Sequence, residues 1–467
     1  MEMPPQSSSG NDDDTMLRPP LNRGMRALDR SLFRKTVPLS AASIFRNSDI
    51  SPSRKLLERS KDLFVCPRIN TVHREPVEGS ARRCLLLRPE IKHDNAATWS
   101  QQLRELVDRG TASLIPYELK LDYSFWTYDE VMDSVIGKDD PEAYPQTVNQ
   151  AGHVCHLNLR PQHFPYKHLI ATVLLDKTPS ARTVINKTDL VGDASTYRTF
   201  SYEVLAGDDD LNVTLHEHDC AFAFDYAKVY WNSRLGTEHR RLVADFFAAG
   251  DAVCDAMAGV GPFAVPAAKH RRCFVWANDL NPDAAEALRD NVARNKVADL
   301  VTVFNDDAYG FIRSATRRLL DADTPQSIQH QQASRAKSPP PASRTPRTYT
   351  MPRVFAHYVM NLPASALDFL PAFVGLYRPP DRPLFASPTS PSGLRLPMVH
   401  VYCFRPKDDD AQRLAEGACA EVSERIGAPV RPGGEDVHVH DVRDVAPGKT
   451  MVCVSFRLPE EVAFKEV

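Results

Sequence analysis

Two glycines and a set of carboxylates and amides at the ends of apolar runs carry the chemistry in this sequence. In Asp255-Ala-Met-Ala-Gly259-Val-Gly261-Pro262-Phe263-Ala264 an apolar run leads into glycines spaced G-x-G-x-x-A ahead of a helical period. Such spacing lets a backbone turn tightly and come close to a ligand, although a glycine pair at a strand end is as readily an ordinary turn. Asp279 stands twenty positions beyond Gly259, at the end of the next apolar run, where a carboxylate can accept from both hydroxyls of a ribose. Together the two features point to an adenosine-containing ligand.

Pro262 removes a backbone N–H at the start of the following helix, where the pyrophosphate of a dinucleotide would seek donors. This disfavours NAD. S-adenosylmethionine carries adenosine without phosphate and loses little by it. Asp306, Asp307 and Ala308 close the third apolar run, within reach of an adenine amino group or as caps for the helix Tyr309 to Leu320. Asn361, in His357-Tyr-Val-Met-Asn361-Leu-Pro363, offers an amide that can donate to and accept from a nucleobase edge, or caps a helix over Ala364 to Tyr377. Glu238 and His239 in SRLGTEH read as first-turn groups of a helix, with the carboxylate complementing the dipole. Arg198 reads as a strand arginine.

These residues sit on a recognisable succession of elements. AVCDAM, FVWAND, VTVFND, VFAHYVMN and MVHVYCF are five strand-like runs after Asp251, each followed by a helix-length segment, the pattern of a doubly wound α/β sheet. The second helix is specified by Asn281 as N-cap, Pro282 at its first position and Ala285, Leu288 and Val292 on its inner face. Val437 to Val445 and Thr450 to Leu458, joined through Ala446, Pro447 and Gly448, predict a terminal β-hairpin. Such a hairpin suits a methyltransferase sheet better than an all-parallel dinucleotide-binding one.

The chain has 467 residues, 42% hydrophobic and 25% charged, enough for two or three cores. Residues 1–24, with Asp12, Asp13 and Asp14 among Pro, Ser and Gly, predict a disordered tail. From Met25, MRALDRSLFRKTVPLSAASIFR intersperses arginines with Leu28, Leu32 and Phe33 in the manner of a basic amphipathic helix. It opens a folded N-terminal domain over 25–145, or acts as a mitochondrial presequence if translation starts at Met16 or Met25. Residues 150–245 form a strand-rich α+β block. Residues 246–467 form the α/β domain, with Pro/Ser-rich loops at 324–352 and 378–397. No apolar run reaches the roughly 18 residues that cross a bilayer. Nine cysteines without a Cys-x-x-Cys pair argue against a zinc ribbon or a disulfide framework, and no metal is expected. The formal charge of -3 means that a nucleic acid would have to be held by local basic surface. Arg82 and Arg83, Arg240 and Arg241, and Arg313, Arg317 and Arg318 are the candidates, with Arg240 and Arg241 favoured.

GHVCHLNLRPQHFPYKHLIATVLLDK (Gly152 to Lys177), TVINKT (Thr183 to Thr188), VYWNSRLGTEHRRLV (Val229 to Val243), DAMAGVGPF, NDLNPDA (Asn278 to Ala284), MNLP (Met360 to Pro363) and VRDVAPGKTMVCVSFRLP (Val442 to Pro459) closely resemble blocks of the archaeal and eukaryotic tRNA (guanine(37)-N1)-methyltransferases. The resemblance runs from about Met25 to Pro459, apart from the two insertions. It implies a class I S-adenosylmethionine-dependent methyltransferase domain, a preceding domain that completes the active site, and an N-terminal domain that checks tRNA shape. It also implies methylation of guanine N1 at position 37, beside the anticodon. By the same resemblance Glu238 is the general base, Arg198 stabilises charge on O6 and Asn361 holds the base edge. His239, Asp279, Leu280, Asp307, Ala308 and Asn361 bind the cofactor, beside the glycine loop of Gly259 and Gly261. Tyr197 or Tyr230 could support the flipped guanine. A monomer serving mitochondrial, cytoplasmic and nuclear tRNA pools is the family expectation. A wybutosine-pathway aminocarboxypropyltransferase and a catalytically silent tRNA-binding factor are the rivals. Glu238 and the NLP block speak against the first, and the complete set of site residues against the second.

Overall fold

The computed structural model describes residues 16–137, 142–188, 197, 199–323, 326–330, 347–385 and 394–466. The chain divides into two compact units, one formed by 1–147, 159–179 and 205–207, the other by 148–158, 180–204 and 208–467.

The first unit is built on an antiparallel sheet in the order Val72–Arg74, Arg83–Leu86, Lys35–Ile44, Ala112–Leu121. Ala42, Ile44, Leu57, Leu85, Leu87 and Leu103 form a core there. The basic helix expected after Met25 is absent: the segment holds a short 3-10 turn, Arg30–Phe33, and then the ten-residue strand Lys35–Ile44. Val37, Leu39 and Ala41 are buried while Thr36 and Pro38 are exposed, a period of two, and a proline inside the run opposes a helix. The expected tail also ends sooner than Met25. Within this unit Asn22 N–H donates to the Ser134 carbonyl at 3.1 Å and an Arg23 guanidinium nitrogen to the Asp133 carbonyl at 2.7 Å. Residues 1–15 of the tail lie outside the described residues.

The second unit carries the seven-stranded sheet. Its strands are β1 (Ala252–Asp255), β2 (Phe274–Asn278), β3 (Val301–Phe304), β4 (His357–Met360), β5 (Met398–Pro406), β6 (Val437–Ala446) and β7 (Lys449–Arg457). They lie in the order β3-β2-β1-β4-β5-β7-β6. The first five run parallel. β7 enters antiparallel between β5 and β6, so the hairpin predicted at the chain's end closes the sheet. β1 and β4 are buried along their whole length, as parallel strands covered on both faces must be. The order reverses beside β1, and the loops after β1, β2 and β4 therefore open a crevice at their carboxyl ends.

The strand-rich block expected over 150–245 is divided: 159–179 and 205–207 belong to the first unit, while the rest does not stand apart from this sheet. A single core runs from Ala151 and Val154 through Phe222 and Trp231 to Phe456 and Phe464, so the expected boundary at 245/246 is no break in packing. In this unit Asn212–Glu217 and Cys220–Asp225 pair as a hairpin whose Phe222 and Phe224 rings sit 5.4 and 5.5 Å from Trp231. The first insertion is not wholly a loop, because Ser327–His330 pairs antiparallel with Arg347–Thr350; 331–346 lies outside the described residues. In the second, Pro379–Leu384 is a 3-10 turn, and 386–393 lies outside the description. No helix among the described residues is long and apolar enough to cross a membrane.

Candidate active site

The crevice is a pocket to whose wall the carboxyl ends of the strands contribute at four places. The glycine loop after β1 contributes Gly259, the end of β2 contributes Asp279 and Leu280, the helix start after β3 contributes Asp307 and Ala308, and the loop after β4 contributes Asn361. His239 closes it from the helix Gly236–Asp245, named α1 here.

The two glycines do different work. Gly259 has φ 53° and open space where a Cβ would be, whereas Gly261 has φ 98° and its Cβ would lie 2.6 Å from a Leu288 methyl. Gly259 can therefore let a ligand approach. Gly261, expected beside the cofactor, does not line the pocket; it lets the loop pack on the helix Pro282–Arg294.

Asp279 is fixed by backbone donors, accepting from Gly259 N–H at 2.8 Å and from Asn281 N–H at 2.9 Å. Burial pushes its carboxyl up from the ordinary value, and these two N–H groups pull it back in part. Each carboxylate oxygen keeps acceptor capacity for a diol. Asp307 caps the helix Ala308–Leu320, accepting from Tyr309 and Gly310 N–H, and also lines the pocket, so both of its expected roles coexist. Asp306 is not on the wall; its N–H donates to Asn278 Oδ1 at 2.8 Å. The helix expected over Ala364 to Tyr377 is the shorter 3-10 segment Ala366–Phe373, preceded by Ser365 rather than Asn361. Asn361 Oδ1 is buried on the pocket wall without a hydrogen-bond partner.

His239 is 3% exposed. Its Nδ1 lies 2.7 Å from Glu217 Oε1, while its Nε2 is buried without a partner among the described residues. A buried polar atom left unpaired costs about 1–3 kcal/mol. Two such atoms on one pocket wall, facing a strand-end carboxylate and a glycine with free space, fit a ligand that has ribose hydroxyls at one end and charged polar groups at the other. S-adenosylmethionine meets that description.

Glu238 departs from the expected picture. It is the third residue of α1, as its first-turn reading requires, but it is 2% exposed and does not line the pocket. Arg241 donates to it twice, Nε to Oε2 at 2.6 Å and Nη2 to Oε1 at 2.7 Å. The Tyr402 hydroxyl donates to Oε1 at 2.7 Å, and His440 Nε2 stands 3.5 Å from Oε2. Burial, then Cys453 and the Glu238 carboxylate, hold the Tyr402 phenol well above its ordinary pKa. Arg241, favoured as an RNA contact, is instead turned inward on Glu238. Arg198 lies outside the described residues, although its neighbour Tyr197 is on the pocket wall together with Tyr230.

The cluster of Arg313, Arg317 and Arg318 also serves the fold. Arg313 donates to the Ala372 and Val374 carbonyls, Arg317 pairs with Asp321 and Asp381, and Arg318 lies over Trp276 and Phe304. Sequence reasoning passed over Asp255, which begins the glycine block. Wholly buried at the end of β1, it has neither oxygen in a well-formed hydrogen bond. Burial and then Asp279 push its pKa up to about 8, offset in part by the Met257 backbone. Tyr402 was also missed, since 164 residues separate it from Glu238.

Comparison with known proteins agrees with this geometry. Residues 214–322 match the TRM5/TYW2 methyltransferase domain, and 128–210 match the TYW2 N-terminal domain. A protein of Aspergillus fumigatus named tRNA (guanine(37)-N(1))-methyltransferase is 50% identical, covering 99% of this chain and 98% of its own. One of the same name from Schizosaccharomyces pombe is 39% identical over 94% and 95% of the two chains. Among solved structures, wild-type Trm5b from Pyrococcus abyssi superposes with TM-score 0.55 at 18% identity, over 90% of this chain and 99% of that one. The complex of aTrm5 with tRNALeu gives TM-score 0.56 at 18% identity, over 90% and 100%. These two share the fold.

Two outcomes are expected. Gly261→Ala lowers unfolding stability by about 1–3 kcal/mol through overpacking added to its left-handed φ, read by denaturant unfolding, whereas Gly259→Ala, which meets no clash, loses about 1 kcal/mol to its left-handed φ alone and in addition weakens cofactor binding. Arg241→Met, which strands a buried carboxylate, lowers stability by about 3 kcal/mol in the same measurement; a change under about 1 kcal/mol would mean that Glu238 does not depend on this pairing.

Proposed function

From the premise that the chain belongs to the tRNA (guanine(37)-N1)-methyltransferase family, we propose how its residues divide the work of methylating N1 of guanosine 37 in tRNA with S-adenosylmethionine. The observation that carries this reading is the pair of unpartnered buried atoms, His239 Nε2 and Asn361 Oδ1, on the wall shared with Asp279. Asp279 takes the ribose, Leu280 and Ala308 flank the adenine, and Asp307 accepts from its amino group. The cofactor, when bound, supplies an electrophilic methyl group.

Everything else falls to the protein. Guanine N1 carries a proton, and its lone pair is delocalised into the ring, so the nitrogen becomes a nucleophile only as a base removes that proton. Glu238 is the base, and the proton ends on its carboxylate. Oε2, which takes a single hydrogen bond, from Arg241 Nε, keeps a lone pair for it, and because Glu238 is buried away from the pocket wall before substrate arrives, the side chain or the base must move for the two to meet. The electrons released from N1 move toward O6, where the Arg198 guanidinium stabilises the growing negative charge. Asn361 presents its amide to the base edge. Tyr197 and Tyr230, 43% and 45% exposed at the pocket, support a guanine that has left its stack.

Arg198→Ala is expected to slow single-turnover methylation of a guanosine-37 tRNA transcript by about 10²–10³-fold, with S-adenosylhomocysteine affinity unchanged. An unaltered rate would remove Arg198 from the chemistry.

A further inference from the structure

Glu217 ends the first strand of the hairpin Asn212–Glu217/Cys220–Asp225. The two residues that turn this hairpin, His218 and Asp219, have φ of 50° and 60°, the left-handed values a two-residue type I′ turn requires at both positions, and the tip they form is gripped by its surroundings. The surroundings here are the start of α1 and the helix Ala264–Arg271. His218 Nε2 donates to the Gly236 carbonyl, Arg240 Nε donates to His218 Nδ1 at 3.0 Å, and His270 Nε2 to the His218 carbonyl at 2.8 Å. The tip is thus clamped onto the first turn of α1, and Glu217 is its inward-facing member.

The two Glu217 oxygens are placed differently. Oε1 meets His239 Nδ1 at 2.7 Å. Oε2 lies so near the start of α1 that a Cβ on Gly236 would be 2.9 Å from it. Holding the Nδ1 proton on a carboxylate fixes the imidazole's orientation and leaves Nε2 as the atom offered to a ligand. That atom is buried, unpartnered and on the pocket wall, with the ring braced edge-on against Phe263 at 4.8 Å. Asp279 and the glycine loop account for the nucleoside part of the cofactor, so the group that reaches Nε2 is the charged amino-acid end.

We propose that Glu217 is a positioning residue that aims His239 Nε2 at the amino-acid end of S-adenosylmethionine, making the hairpin tip a selector for cofactors that carry that end. The inference rests on the assignment of this pocket to S-adenosylmethionine.

The test is equilibrium binding of two ligands to the full-length protein: S-adenosylhomocysteine, which has the amino-acid end, and 5′-methylthioadenosine, which lacks it. Glu217→Ala and His239→Ala each weaken S-adenosylhomocysteine by about tenfold and leave methylthioadenosine within about twofold. The double variant is no worse than either single one, because the two residues act as a unit. Glu217→Gln, which keeps an acceptor for Nδ1–H, restores most of the affinity. Gly236→Ala is a second probe that removes no polar group: its φ of -56° admits alanine, and the added methyl displaces the Glu217 carboxylate, so it reproduces the selective loss. Equal weakening of both ligands in Glu217→Ala and Gly236→Ala, or additive effects of the 217 and 239 changes, overturns the proposal. Failure of the unaltered protein to bind either ligand would instead overturn the pocket assignment.

Discussion

A carboxylate removed from water must be paired or it will not stay charged, and Glu238 is paired on both sides. Arg241, one helical turn along the same helix, supplies two parallel donors, and Tyr402 reaches across from β5 to supply a third. Breaking such a pair costs far more than forming it gains, so α1 is tied to β5 at Glu238. The same helix presents His239 to the cofactor pocket from the next position. One buried ion pair thereby fixes both Glu238 and His239 relative to β5.

The sheet order places everything else. Reversal beside β1 leaves the carboxyl ends of β1, β2 and β4 facing one crevice. A left-handed Gly259 turns the loop after β1 over Asp279, and Gly261 gives way to Leu288 so that the loop can lie down. The antiparallel β7 then brings Met451 to the pocket wall, while His440 on β6 comes within 3.5 Å of Glu238. The terminal hairpin is therefore part of the site.

Much of this was legible in the residues. The five parallel strands announce themselves as apolar runs bounded by turn signals, because strands covered on both faces have nothing polar to show. Asn281 and Pro282 start the next helix as read. What stayed hidden depends on partners distant in sequence. The segment from Met25 looked helical through the spacing of Arg26, Arg30 and Arg34 with Leu28, Leu32 and Phe33, yet its second half, Lys35–Ile44, pairs with strands on both sides, and tertiary pairing overrides local pattern. Tyr402 and Glu217 gave no local sign of the groups they hold. Arg241 could have been read as a partner of Glu238 from its i,i+3 spacing alone, but clustered arginines beside a nucleic-acid enzyme invite the other reading.

The central claim is that the Glu238 carboxylate takes the guanine N1 proton. Single-turnover methylation by Glu238→Gln, with cofactor affinity measured alongside, tests it most directly. The account predicts a rate about 10²–10⁴-fold below that of the unaltered enzyme with S-adenosylhomocysteine binding preserved. A rate within about threefold of the unaltered enzyme would contradict it and send the proton to another group.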